Sequence, residues 1–116
     1  MAKNNCRLQI ECKNGVLEAA LFGELDHHGA AAVRSLIDAE ICRTRPKKTV
    51  LDLSALDFMD SSGLGLVMGR YALMQKTGGE LSVRRPNERI LKIFKLAGLE
   101  RIVRFEEEDK NEAKGK

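Results

Sequence analysis

The chain has 116 residues, 43% of them hydrophobic and 32% charged, with a net charge of +3. That is the length of one domain, enough to bury a single core without disulfide or metal staples. No apolar run approaches a membrane span, Met1-Ala2-Lys3-Asn4-Asn5 leads into no signal-peptide core, and +3 is too small to argue for nucleic acid, so a cytoplasmic protein is expected.

Arg7-Leu8-Gln9-Ile10-Glu11-Cys12 alternates apolar and polar residues, the period of a half-buried strand. Asn14-Gly15 is a hairpin turn signal, and Val16 to Phe22 reads as the antiparallel partner, with Leu17, Ala19 and Leu21 on one face. Gly23-Glu24-Leu25-Asp26 ends it. Asp26 or His28 then caps a helix whose apolar positions Ala30, Val33, Ile37 and Ile41 recur at helical spacing, with Arg34, Asp38 and Arg43 facing outward. Thr49 to Leu53 has the near-continuous apolar character of a central strand covered on both faces.

After a short loop, a helix from Ser62 to about Lys76 carries Leu64, Val67, Met68, Tyr71 and Met74. Gly63, Gly65 and Gly69 each cost it up to about 1 kcal/mol relative to Ala, which suggests close backbone approach to a neighbouring element or a partner. Thr77-Gly78-Gly79 stops that helix. Glu80 to Val83 is a short strand, Asn87 caps a helix ended by Gly98, and Ile102 to Phe105 is a last edge strand. Strands alternating with helices after an opening hairpin predict an α/β fold, a mixed sheet of four to five strands with helices packed mainly on one face. A single domain spans residues 1–116, ordered over about 6–106, and the charged end predicts a disordered tail over 107–116.

Cys6, Cys12 and Cys42 are an odd number at scattered spacing, so free thiols are expected rather than a disulfide framework or a zinc site. Between Arg84 and Arg104 seven basic residues face only Glu88 and Glu100. The cluster reads either as a footprint for an acidic partner or, more simply, as the solvated face of one helix. No aromatic residues are interleaved with it, as stacking on single-stranded nucleic acid needs.

Enzyme readings are weak. The glycines of Gly63-x-Gly65-x-x-x-Gly69 lie inside a helix rather than in the turn before it, and no Walker lysine accompanies them. Asp60-Ser61-Ser62-Gly63 is not a nucleophile elbow, and a Ser-His-Asp set needs the fold to bring His27 or His28 to the serines. His27, His28 and Asp26 make a poor metal site. Asp52 occupies the strand position of a phospho-accepting aspartate but lacks the accompanying acidic pocket. The feature with chemistry to offer is the serine pair at the mouth of a helix, where unpaired backbone N–H groups and the helix dipole can hold a phosphate. Spacing alone leaves Ser61 and Ser62 both open as phosphoacceptors.

Three segments, Gly23-Glu24-Leu25-Asp26-His27-His28, Leu53 through Gly65 with its Asp60-Ser61-Ser62-Gly63-Leu64-Gly65, and Gly69-Arg70-Tyr71, resemble the bacterial anti-sigma-factor antagonists, a branch of the STAS domains (sulphate transporter and anti-sigma antagonist). Gly78-Gly79-Glu80, Phe94 to Leu99 and Ile102 to Phe105 continue the likeness over about residues 6 to 106. The Asp-His-His and Gly-Arg-Tyr pieces are most similar to the sporulation branch acting on sigma-F. An antagonist of a general stress-response switch is the alternative within the family, and a small phosphate-handling enzyme or nucleotide-binding module is the alternative outside it. The resemblance implies a STAS fold and a partner switch. The unmodified protein binds an anti-sigma factor that is also a serine kinase, phosphorylation of Ser61 by ATP ends that binding, and a PP2C-type phosphatase resets it. Contacts to the partner are expected from Asp26, Met59, Asp60, Ser62, Gly63, Leu64 and Gly65, with a helix cap the compatible structural reading of Asp26 and burial in the core the alternative for Met59 and Leu64; no catalytic residue, metal, cofactor, DNA or membrane contact is implied in what acts as a monomer.

Overall fold

The computed structural model describes residues 6–107. Five strands form one sheet in the order β1-β2-β3-β4-β5: β1 Cys6–Lys13, β2 Val16–Leu25, β3 Lys48–Met59, β4 Glu80–Arg84 and β5 Arg104–Glu106. The helices are α1 His27–Thr44, α2 Ser62–Lys76 and α3 Glu88–Leu96, with a 3-10 turn at Leu99–Arg101 before β5. β1 pairs antiparallel with β2, and β2 through β5 are parallel. Successive right-handed crossovers running in one direction across a sheet place every helix on the same face. The match to the expected α/β mixed sheet is therefore close.

Local chemistry accounts for the element boundaries. Asn14 (φ 54°) and Gly15 (φ 81°) both adopt the positive φ of a tight two-residue hairpin, which sets Lys13 opposite Val16. Asp26 caps α1 by accepting from the Gly29 N–H at 2.9 Å, and Asn87 caps α3 by accepting from the Ile90 N–H at 2.9 Å. The Asn87 amide also donates to the carbonyls of Leu56 and Asp57, so the start of α3 is tied to the end of β3.

The core lies between the sheet and the helices. Leu17, Ala19 and Leu21 of β2, Leu51 and Leu53 of β3, and Leu81 and Val83 of β4 meet Val33, Ile37 and Ile41 of α1, Val67 and Met74 of α2, and Ile90 and Phe94 of α3, all buried. Phe94 stacks against Phe105 at a tilted 5.4 Å between ring centroids.

Two elements depart from the sequence reading. β3 does not end at Leu53; it continues to Met59, replacing the expected loop with six further strand residues. It follows β2 through two register shifts, between Ala20 and Phe22 and between Gly23 and Glu24. These bulges break the two-residue period, so the inward positions Leu53, Leu56 and Met59 recur every third residue and do not look like a strand. The stripe on α2 is also rotated. Gly63, Leu66, Val67, Arg70 and Met74 are buried, while Met68 is exposed and Leu64 and Tyr71 are half-buried. Arg70 at this inward position donates through Nη2 to Asp38 Oδ2 at 3.3 Å, with Nε 2.8 Å from Oδ1, and through Nη1 to the Leu66 carbonyl at 3.2 Å. Asp38 is thus half-buried and joins α1 to α2 rather than facing solvent. The last strand is Arg104–Glu106, one residue past its expected end, and the tail from residue 108 on lies outside the described residues.

The face of the sheet away from the helices carries an ion network. Asp52 of β3, Arg84 of β4 and Glu106 of β5 stand opposite one another in register. Arg84 reaches Glu18 at 3.2 Å, Glu106 at 3.5 Å and Asp52 at 3.7 Å, and Lys48 reaches Glu106 at 2.8 Å. Burial raises the Glu106 pKa, but the hydrogen bond and charge of Lys48 and the charge of Arg84 outweigh it and hold the carboxyl below its ordinary value. A folded pKa below the unfolded value of about 4.3 means stability that is present at neutral pH and lost as acid protonates the group. Urea unfolding from pH 7 down to pH 3 is therefore expected to show a fall beginning near pH 5. Glu106→Gln is expected to lose about 1.5–3 kcal/mol at pH 7 and to flatten that fall; an unchanged acid slope in the variant rules Glu106 out as a contributor.

Candidate switch site at the helix N-termini

Parallel pairing of β2 with β3 runs out to Leu25 opposite Met59, and the Asp60 N–H closes it by donating to the Leu25 carbonyl at 3.2 Å. The chain leaves both strands at the same edge of the sheet and enters a helix directly in each case. The N-termini of α1 and α2 therefore sit side by side, with Asp26 at the head of one and Asp60-Ser61 at the head of the other.

The two serines occupy different environments. Ser61 is the N-cap residue of α2 by position, with helical φ and ψ (−63°, −17°). Its side chain is exposed, makes no capping bond and hydrogen-bonds to no described residue. Ser62 is half-buried. Its N–H donates to Asp60 Oδ1 at 2.9 Å, and its hydroxyl donates to the same oxygen. Asp60 thus caps the start of α2 from the position before Ser61. The hydroxyl and N–H of Ser62, and then the N–H and charge of His27, hold the Asp60 carboxyl below its ordinary pKa, so it is ionised at neutral pH.

These bonds change the expected anion site. The Ser62 N–H is engaged by Asp60, the Gly63 N–H donates to the Asp60 carbonyl at 3.0 Å and the Leu64 N–H to the Ser61 carbonyl at 3.0 Å. The first-turn donors already have partners, and a fixed carboxylate stands among them. A negative group on Ser61 meets the favourable end of the helix dipole and the repulsion of Asp60 together.

The remaining site residues divide by accessibility. Met59 is 3% exposed and lies under Gly63, where a Cβ would stand 2.3 Å from the Met59 side chain. Met59 and Gly63 are therefore buried supports of the turn, and for Met59 the core position is the alternative that its apolar side chain already offered. Close approach at Gly63 is to the protein's own core. Gly65 and Gly69 instead face open space. Asp26, Asp60, Ser62 and Leu64 are partly exposed and Gly65 is exposed, and all belong to the surface around Ser61.

A groove lined by His27, Ala30, Ala31, Arg34, Ser62, Gly65 and Leu66 runs between α1 and α2 beside the serines. Sequence reasoning placed Arg34 on the outward face of α1 without linking it to the serines. Two adjacent helix starts, at Asp26 and Ser62, were the available signal. The fold brings His27, Asp60 and Ser62 together, yet the Ser62 hydroxyl donates to Asp60 and not to the imidazole, so these residues form no serine–histidine pair. Asp52, the other phosphoacceptor considered, lies in the ion network on the opposite face. Of the basic cluster, Arg84 belongs to that network too, whereas Arg89, Lys92 and Lys95 are exposed along α3. Among the described residues no three His, Cys, Asp or Glu side chains are placed to hold a metal ion, and no helix is long and apolar enough to cross a membrane.

The contrast between the glycines is testable by denaturation. Gly63→Ala is expected to destabilise the protein by about 1–3 kcal/mol, because overpacking against Met59 exceeds the gain in helix propensity of about 1 kcal/mol. Gly65→Ala, pointing into open space, is expected to raise the urea midpoint. Equal shifts for the two variants contradict the packing seen under Gly63.

Residues 7–111 match the STAS domain family. The anti-sigma F factor antagonist of Paenibacillus polymyxa is 41% identical over 99 residues, covering 85% of this chain and 85% of that protein. The anti-sigma-B factor antagonist of Bacillus subtilis is 25% identical over 107 residues, covering 85% and 89%. Among solved structures, the anti-sigma factor antagonist SpoIIAA in its unphosphorylated form superposes with a TM-score of 0.80 at 30% identity, covering 92% of each chain. The phosphorylated form of Bacillus SpoIIAA superposes at 0.73, covering 92% of this chain and 96% of that one. With the sheet order, the paired helix starts and the sequence likeness all in agreement, the chain belongs to the STAS domain family.

Proposed function

We propose that this chain is an anti-sigma-factor antagonist of the sigma-F, sporulation type, switched by phosphorylation of Ser61. The observation that carries the reading is the exposed Ser61 hydroxyl, without a hydrogen-bond partner among the described residues, at the head of α2 beside the ionised carboxylate of Asp60. The likeness to antagonists of anti-sigma F supports the choice of partner, and the phosphorylated form known for SpoIIAA supports the modification.

In this reading the unmodified protein docks the surface around Ser61, with Asp26, Asp60, Ser62, Leu64 and Gly65, onto an anti-sigma factor that is a serine kinase, and the sigma factor is released. The kinase transfers the γ-phosphoryl group of ATP to the Ser61 oxygen, adding a charge of about −1.5 to −2. An interface that seated a neutral hydroxyl then has to desolvate a dianion next to Asp60. A penalty of about 3 kcal/mol already lowers affinity more than a hundredfold. The core is untouched, since Ser61 contributes no buried contact. A PP2C-type phosphatase restores the hydroxyl. The protein itself catalyses nothing and acts in the cytoplasm as a monomer, without DNA. A general stress-response role, the alternative within the family, differs in the kinase bound, and binding to the anti-sigma F factor in preference to an anti-sigma-B factor separates the two.

The test is phosphosite mapping after mixing the purified protein with an anti-sigma F factor and ATP, together with binding of Ser61→Asp measured by calorimetry. One phosphate on Ser61 is expected. Ser61→Asp is expected to bind roughly a hundredfold more weakly, about 2.7 kcal/mol, at an unchanged urea midpoint. Undiminished binding by a folded Ser61→Asp protein refutes the switch.

A further inference from the structure

Resting on the phosphorylation reading above, we propose that Asp60 is the residue that selects the phosphoacceptor, locking Ser62 in a two-point hydrogen bond so that Ser61 is the hydroxyl a kinase can take. The two serines are adjacent and share a sequence context, so nothing in the motif itself tells them apart. Their surroundings do. Asp60 Oδ1 accepts both the N–H and the hydroxyl of Ser62, fixing its rotamer, whereas the Ser61 side chain is exposed and has no partner among the described residues.

Phosphoryl transfer forms a bond from the serine oxygen to the γ-phosphorus of ATP, breaks the bond to the ADP oxygen, and passes the hydroxyl proton to a base of the kinase. At Ser62 each part of this is obstructed. The hydroxyl proton already points at Asp60. The incoming phosphate charge would develop against a carboxylate in direct contact. The half-buried side chain has to rotate out, giving up a charge-assisted hydrogen bond. Asp60 is a poor substitute for the kinase's own base, because its two bonds to Ser62 and the neighbouring His27 favour the ionised form and weaken its hold on a proton. At Ser61 none of these bonds has to break. Giving up one hydrogen bond to a charged group corresponds to roughly a ten- to hundredfold difference in rate.

Asp60 on this account is a positioning residue. It also caps α2, so its variants need a readout that a cap alone does not move. The experiment uses the full chain, the anti-sigma F factor of Paenibacillus polymyxa as kinase, ATP, and the P. polymyxa antagonist as a positive control. Phosphosites are mapped by mass spectrometry on wild type, Ser61→Ala, Ser61→Ala/Asp60→Ala and Ser61→Ala/Asp60→Asn, each checked for folding by circular dichroism. Wild type is expected to carry phosphate on Ser61 and Ser61→Ala almost none. Adding Asp60→Ala is expected to raise phosphate on Ser62 at least tenfold. Asp60→Asn, whose amide oxygen still accepts from Ser62, is expected to raise it much less than Asp60→Ala does.

Ready modification of Ser62 in Ser61→Ala overturns the proposal, and its loss on adding Asp60→Ala would assign Asp60 the opposite role, activating Ser62. Failure of Asp60→Ala to release Ser62, with wild type modified on Ser61, also overturns it. Absence of phosphate on either serine of wild type, while the control is modified, removes the phosphorylation reading itself and the inference with it. A measurement without kinase covers the unfolding of a variant: the Ser62 amide resonance of the wild-type protein is expected to shift as Asp60 is protonated by acid. An amide that does not respond shows that the lock is not formed.

Discussion

The parallel pairing of β2 with β3 as far as Leu25 and Met59, closed by the Asp60 N–H on the Leu25 carbonyl, is the constraint on which the rest of the site depends. Two strands that end level at one edge of a sheet deliver their helices level as well. Asp26 and Asp60 therefore come to cap neighbouring helices, and the groove between α1 and α2 opens beside Ser62. In open α/β sheets the carboxyl ends of the parallel strands are where binding surfaces form. Here the bulges of β3 are what let it reach that edge in step with β2. They lengthen the strand while keeping Leu56 and Met59 turned into the core.

Beneath the exposed turn the support is rigid and apolar. Met59 fills the space that a side chain at residue 63 would need, so α2 begins tightly against the end of β3. Farther along the helix, Arg70 is buried but bonded to Asp38 and to a backbone carbonyl, which holds α2 to α1 with its charge compensated. The surface around Ser61 is consequently a small polar rim on a packed base. In the proposed switch, a charge added at the rim acts on a partner's desolvation without disturbing the packing, because the Ser61 side chain is exposed.

The two faces of the sheet do different work. The helix-covered face provides the apolar burial. The other face, carrying Arg84 among Glu18, Asp52 and Glu106, ties the strands together laterally, with each carboxylate drawn to a shared guanidinium. Arg presents several donors in a fixed fork and suits that position better than Lys. This network lies away from the serines, so titration of Glu106 bears on the fold and not on the proposed switch.

Much of this was legible in the residues. Turn chemistry at Asn14-Gly15, capping residues at Asp26 and Asn87, and apolar spacing in α1 are local signals, each acting within a few residues, and they placed the hairpin, the helices and the α/β order. The Asp-Ser-Ser-Gly stretch marked the site for the same reason, since a helix start is local. What tertiary structure alone decided depends on contacts between distant segments. The extension of β3 to Met59 comes from pairing with β2, through bulges that erase the two-residue period. The inward turn of Arg70 on α2 comes from Gly63 seating on Met59 and from Asp38 on another helix, though the spacing of Gly63, Leu66, Val67, Arg70 and Met74 contained the hint. Arg84 looked like one more surface charge until β5 and β3 supplied its carboxylates. Spacing left Ser61 and Ser62 equivalent and only the family resemblance favoured Ser61; the physical difference lies in which hydroxyl the turn directs at Asp60, and a hydrogen bond is a property of geometry rather than of residue type.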